Sequence, residues 1–151
     1  MKLTPSQVKN NMRRGLRLLV DPEPERAERE RCIAFFSGCC AYCGTKVVDG
    51  QGTLDHLLAA SRGGRNHISN RVFSCRQFND KEKRDRAWKG FLIRKTGTEE
   101  IMGTRLDKIS EWIKLAGAVR PLTEATLKTI EEEAQRVTAL YDQACKRVRE
   151  A

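Results

Sequence analysis

The 151 residues contain two histidines, His56 and His67, and the first directly follows a carboxylate, Asp55. Imidazole titrates nearer neutral pH than any other side chain, so it can take a proton from water while an adjacent carboxylate holds a cation. A hard divalent ion such as Mg2+ takes oxygen ligands and keeps several waters, so one aspartate and one amide oxygen suffice from the protein. A second group of candidate ligands lies upstream, in the stretch CCAYCG at residues 39–44. There Cys40 and Cys43 are thiols three residues apart around an aromatic, the spacing of half a tetrahedral zinc site.

These side chains need elements to hold them. Successive strand residues point to opposite faces, so Asp55 and His56 can serve one substrate only where their strand ends or bends. The sequence supplies such an ending. Lys46-Val47-Val48 and Thr53-Leu54-Asp55-His56 flank the turn-rich tetrad Asp49-Gly50-Gln51-Gly52 and are expected to form a hairpin. The stretch Ala60-Ser61-Arg62-Gly63-Gly64-Arg65-Asn66 lacks periodicity and reads as a loop, followed by a short strand at Arg71-Val72-Phe73. Arg76 to Arg86 is polar and free of Gly and Pro, which predicts a helix carrying Phe78, Asn79, Lys81 and Lys83.

Helices flank this centre. Thr4-Pro5 starts one whose apolar positions are Val8, Met12, Leu16 and Leu19, and Asp21-Pro22 ends it. A second runs from near Pro24, carries Ala27 and Ile33 toward Phe35 and Phe36, and stops at Gly38. Thr123 caps a long segment in which Leu127, Ile130, Ala134, Val137, Tyr141, Ala144 and Val148 form a heptad seam. That seam packs either on helices near Trp88 to Leu92 and Leu106 to Leu115 or on a second copy as a homodimer. The expected class is α+β, mostly α, divided as N-terminal helices at 1–38, a central core at 39–95 and a C-terminal helical extension at 96–151.

The net charge is +9 with a pI near 9.5. From Thr53 to Lys95, eleven Lys and Arg face four Asp and Glu, so most of the excess sits in the middle third, where phosphates could use it. The bland alternative is a solvated charged face. No apolar leader follows Met1 and no stretch approaches the ~18 apolar residues of a membrane span, so a soluble cytoplasmic protein is expected. The six cysteines are read as reduced thiols or metal ligands rather than a disulfide framework.

In order, the chain gives Cys40-x2-Cys43, Asp55-His56, Ser61-Arg62-Gly63-Gly64, Asn70, Cys75, and Asn79 followed by Lys81 and Lys83. This resembles the zinc-knuckle-bearing branch of the HNH endonucleases, the ββα-metal nucleases. The resemblance covers about residues 40–86 and implies a small ββα core flanked by helices. It further implies a DNA phosphodiester hydrolase that uses Mg2+ or Mn2+ and cuts one strand per site. In that reading His56 is the general base, Asp55 and Asn79 are the metal ligands, and Asn70 pins the loop between the strands and so orients the histidine. Arg62, Arg65, Arg76, Lys81, Lys83, Arg84 and Arg86 are the candidate phosphate contacts. His67 has no counterpart in the family pattern.

The chain departs from that pattern at two places. Leu58-Ala59 stands where a proline is common, and Phe78 stands where the fourth thiolate of a Cys-x2-Cys-Asn knuckle belongs. Cys40, Cys43 and Cys75 are therefore a degenerate zinc set, and Phe78 tells against bound Zn2+. The competing reading is a nucleic-acid-binding module that keeps the scaffold without catalysis. A zinc-ribbon adaptor is weaker, because it leaves the central positive charge without a purpose.

Overall fold

The computed structural model describes residues 3–76, 87–95 and 97–151. Among these the chain has five α-helices and one two-stranded antiparallel sheet, a mostly helical α+β protein. The chain groups into two compact units, Met1–Pro22 with Leu122–Ala151, and Glu23–Pro121.

The first unit is a pair of helices, α1 (Pro5–Leu18) and α5 (Glu124–Glu150). Thr4 and Gln7 form a capping box at the start of α1, and Thr123 accepts the Thr126 amide at the start of α5. Within this unit the heptad seam of α5 packs on α1. Ala134 and Thr138 are the buried centre of the contact, and Val148 at the far end of the seam is exposed. Leu19 is exposed too, because it lies past the last turn of α1 as its cap. Lys9–Asp142 (3.1 Å) and Arg13–Glu131 (3.6 Å) add exposed ion pairs, each worth under about 1 kcal/mol.

The second unit contains the sheet. α2 (Arg26–Phe35) turns Cys32 and Phe36 into the core, while Ala27 and Ile33 are exposed. Cys32 and Phe36 are one helical turn apart and Ala27 and Ile33 fall off that stripe. The helix ends in Ser37 and Gly38, both left-handed, with the Gly38 amide bonded back to Ile33 O.

β1 (Gly52–His56) pairs with β2 (Arg71–Cys75), with Asp55 opposite Val72 and His56 opposite Arg71. The hairpin expected between 46–48 and 53–56 is not the pairing that forms. Lys46 makes one isolated bridge with Cys39, Val47 packs against the core, and Val48 is 72% exposed. β2 buries Arg71 to Ser74 in succession and is the stronger partner. The helix expected over 76–86 lies outside the described residues after Arg76, and Phe78 with it.

α3 (Trp88–Lys95) and α4 (Glu99–Leu115) close the core from the other side. Trp112 is fully buried, packs its ring 5.1 Å from that of Phe35 and donates its indole N–H to Arg71 O at 2.8 Å. Tyr42 and Phe91 meet edge to face at 5.3 Å. No helix among the described residues is long and apolar enough to cross a membrane.

Two outcomes follow from this core. Trp112→Ala should lower unfolding free energy in urea by about 3–5 kcal/mol, because it leaves a cavity and strands a strand carbonyl. Burial pushes the Cys32 thiol up to about 12. A raised folded value stabilises below the ordinary thiol range and is lost as pH climbs toward the folded value. Stability should therefore fall above about pH 8.5, by at most about 1.4 kcal/mol per pH unit from this group, and Cys32→Ala should reduce the slope.

Candidate active site and thiol cluster

Asp55 is 4% exposed, and the Tyr42 hydroxyl donates to its Oδ2 at 2.5 Å. Burial first, then the charge of Asp55, pushes the Tyr42 phenol well above its ordinary value, so it remains a donor. The bond fixes the carboxyl group in one orientation and joins the cysteine stretch to β1. Carboxylate oxygen is the donor type that a hard divalent cation takes, and ligating carboxylates are themselves normally hydrogen-bonded. Asp55 thus fits the ion the family implies; Asn79, the second expected ligand, lies outside the described residues.

His56 is half-buried at the end of β1, with its Nε2 3.1 Å from Asn66 Oδ1. The same Oδ1 accepts from Arg71 Nη2 at 2.6 Å. Arg71 is buried directly across the sheet from His56, and also donates to Leu54 O (3.2 Å), Asn66 O (3.4 Å) and Glu23 Oε2 (3.0 Å).

The loop from Leu57 to Asn70 is held from its far end. Asn70 accepts the Leu58 amide at 2.8 Å and donates its side-chain N–H2 to Leu58 O (3.0 Å) and Arg65 O (2.8 Å). Gly63 is left-handed at φ 80°, and a Cβ on Gly64 would lie 1.8 Å from Leu58 O, so only glycine fits there. His67 caps the short 3-10 turn Ile68–Asn70 by accepting the Ser69 amide at its Nδ1. Arg62 and Arg65 line a cavity of about 420 Å3 together with Lys89, Trp88 and Asn70. Arg76 is exposed, while Lys81, Lys83, Arg84 and Arg86 lie outside the described residues.

The cysteine stretch folds as a tight turn, with Gly44 N bonded to Cys40 O and Cys40 N to Thr45 O. Ala41 N donates to Phe73 O at 2.8 Å, which lays the turn along β2 and brings Cys75 to it. The sulfurs of Cys40, Cys43 and Cys75 lie within 4.8 Å of one another, a group of three soft donors able to hold a metal ion such as zinc. Burial pushes Cys40 up to about 12. Burial also pushes Cys43 up, but hydrogen bonds from Thr45, Cys40 and Cys75 outweigh it and hold that thiol below its ordinary value. The Arg105 guanidinium donates to Tyr42 O and fastens α4 to the turn.

Tyr42, Asn66, Arg71 and Glu23 join the site without having been singled out by sequence. There Tyr42 is only the aromatic between two cysteines, Arg71 one of eleven central cations, Asn66 one loop amide among several, and Glu23 a residue of the Asp21–Glu25 connection. Burial distinguishes three of the four, and a single sequence does not display it.

Without metal at about pH 8, Cys43 should alkylate before Cys40 and Cys32, since the thiolate is the nucleophile. Peptide mass spectrometry reads the order, and simultaneous labelling of all three would contradict the geometry.

No curated protein and no solved structure matches the chain. The stretch that carries Asp55, His56, Asn70 and the three thiols does match a known family, over residues 40–87. That family is the HNH endonucleases, whose model matches residues 40–87, and the cysteine cluster is consistent with its zinc-knuckle-bearing branch.

Proposed function

We propose that this chain is a metal-dependent endonuclease that hydrolyses DNA phosphodiesters, one strand per active site. The observation that carries the reading is Asp55 and His56 side by side at the end of β1, inside the HNH segment, where the strand gives way to a loop clamped by Asn70. His56 takes a proton from the attacking water as its oxygen bonds to phosphorus, and the bond from phosphorus to the 3′ oxygen breaks. The leaving oxygen takes a proton from solvent water, and the products are a 5′-phosphate and a 3′-hydroxyl. Asp55, with Asn79, is the ligand set for a divalent ion, which when bound offsets the charge developing on the phosphate and the leaving oxygen. Arg62, Arg65 and Arg76, with Lys81, Lys83, Arg84 and Arg86, are candidate contacts to the DNA backbone. Zn2+ on the three thiols would be structural.

One observation favours the alternative, a nucleic-acid-binding module without catalysis: the enclosure of Asp55, with an oxygen already bonded to Tyr42. Supercoiled plasmid separates the two. Wild-type protein with Mg2+ should nick it and chelator should abolish nicking; His56→Ala should slow it by about 10²–10⁴-fold, the usual contribution of a general base. Asp55→Ala should bind DNA yet fail to cut. DNA binding without nicking under Mg2+ or Mn2+ would favour the binding module.

A further inference from the structure

A neutral imidazole carries one N–H and one lone pair, and only the nitrogen with the lone pair can accept a proton. Which nitrogen that is depends on the partner of the other. His56 Nε2 faces an atom of the Asn66 amide, and an amide can present either oxygen or nitrogen. Arg71 removes the ambiguity. Its guanidinium only donates, and Nη2 lies 2.6 Å from the same Asn66 atom, so that atom is the oxygen. An acceptor at 3.1 Å from Nε2 means that Nε2 carries the proton and Nδ1 the lone pair.

Nor is the amide free to rotate away. Asn66 is 5% exposed and Arg71 7% exposed, and Arg71 is held in turn by Leu54 O, by Asn66 O and by Glu23 Oε2. The register completes the arrangement, since His56 and Arg71 are opposite one another on β1 and β2.

We infer that Asn66 is a positioning residue, fixed by Arg71 and Glu23, which holds the His56 ring in the Nε2–H tautomer. The assignment of a catalytic role rests on the nuclease reading above; the tautomer itself does not. Asn66 acts through His56 and does not touch the reacting atoms.

The test is 1H–15N correlation of the imidazole nitrogens in the full chain, at about pH 8.5, where an ordinary imidazole is neutral. With two histidines in the sequence, His67→Gln assigns the spectrum. Wild type should show His56 protonated at Nε2 only, with that proton resolved and protected from exchange. Asn66→Asp keeps an acceptor oxygen and should keep both features. Asn66→Leu removes it and should lose the protected proton, admit the Nδ1–H form and lower kcat for plasmid nicking at least tenfold with little change in KM. A wild-type ring protonated at Nδ1 would overturn the inference even if Asn66→Leu fails to fold, and so would a folded Asn66→Leu whose Nε2 proton stays protected. An Nε2–H ring in a protein that never nicks DNA would sink the nuclease reading and leave the tautomer assignment standing.

Discussion

Burying a guanidinium is the constraint on which the rest of this structure turns. Arginine cannot shed its proton on folding, so Arg71, 7% exposed, has to be answered by acceptors. Those acceptors are four oxygens on three residues: Leu54 O on the neighbouring strand, the backbone and side-chain oxygens of Asn66 in the loop, and Glu23 Oε2 at the approach to α2. Its own carbonyl accepts the Trp112 indole and lies 3.9 Å from the Cys32 sulfur. One residue thereby ties β1, the loop, α2 and α4 to β2. Breaking such a pair by removing one partner typically costs about 3–5 kcal/mol, because the other charge is left buried. The histidine at the end of β1 inherits this rigidity through a single shared oxygen, Asn66 Oδ1.

A second set of ties runs on the other side of β1. There the Asp55 carboxylate lies in the core with its Oδ2 on the Tyr42 hydroxyl. Tyr42 belongs to the cysteine turn, which is laid on β2 by the bond from Ala41 N to Phe73 O and fastened to α4 through Arg105. The thiol cluster and the carboxylate thus share one support. A metal on the three sulfurs would stiffen the turn that carries Tyr42.

Much of this could be read from the residues. Asp55-His56 before a long loop, the two extended segments around 53–56 and 71–73, and the helix starts at Thr4 and Thr123 followed from spacing and cap chemistry, because those rules are local. The pairing of the strands did not. Val47 and Val48 look like a hairpin arm, yet burial of β2 decides the partner, and burial is a property of the whole chain. The seam on α5 is a true seam, but periodicity says only that an apolar stripe exists and not that α1 fills it. The support of His56 was hidden for the same reason: in the sequence Arg71 is one of eleven central cations, and its burial does not show there.

The central claim is that His56 accepts the proton of the water that attacks the phosphate. Replacing it with glycine opens a space for a free base, so the direct measurement is single-turnover cleavage of labelled duplex DNA by His56→Gly with Mg2+, with and without added imidazole. Cleavage that is lost in His56→Gly, returns with imidazole, and does not return in Asp55→Ala is the predicted result. Cleavage by His56→Gly at the wild-type rate without imidazole would contradict it.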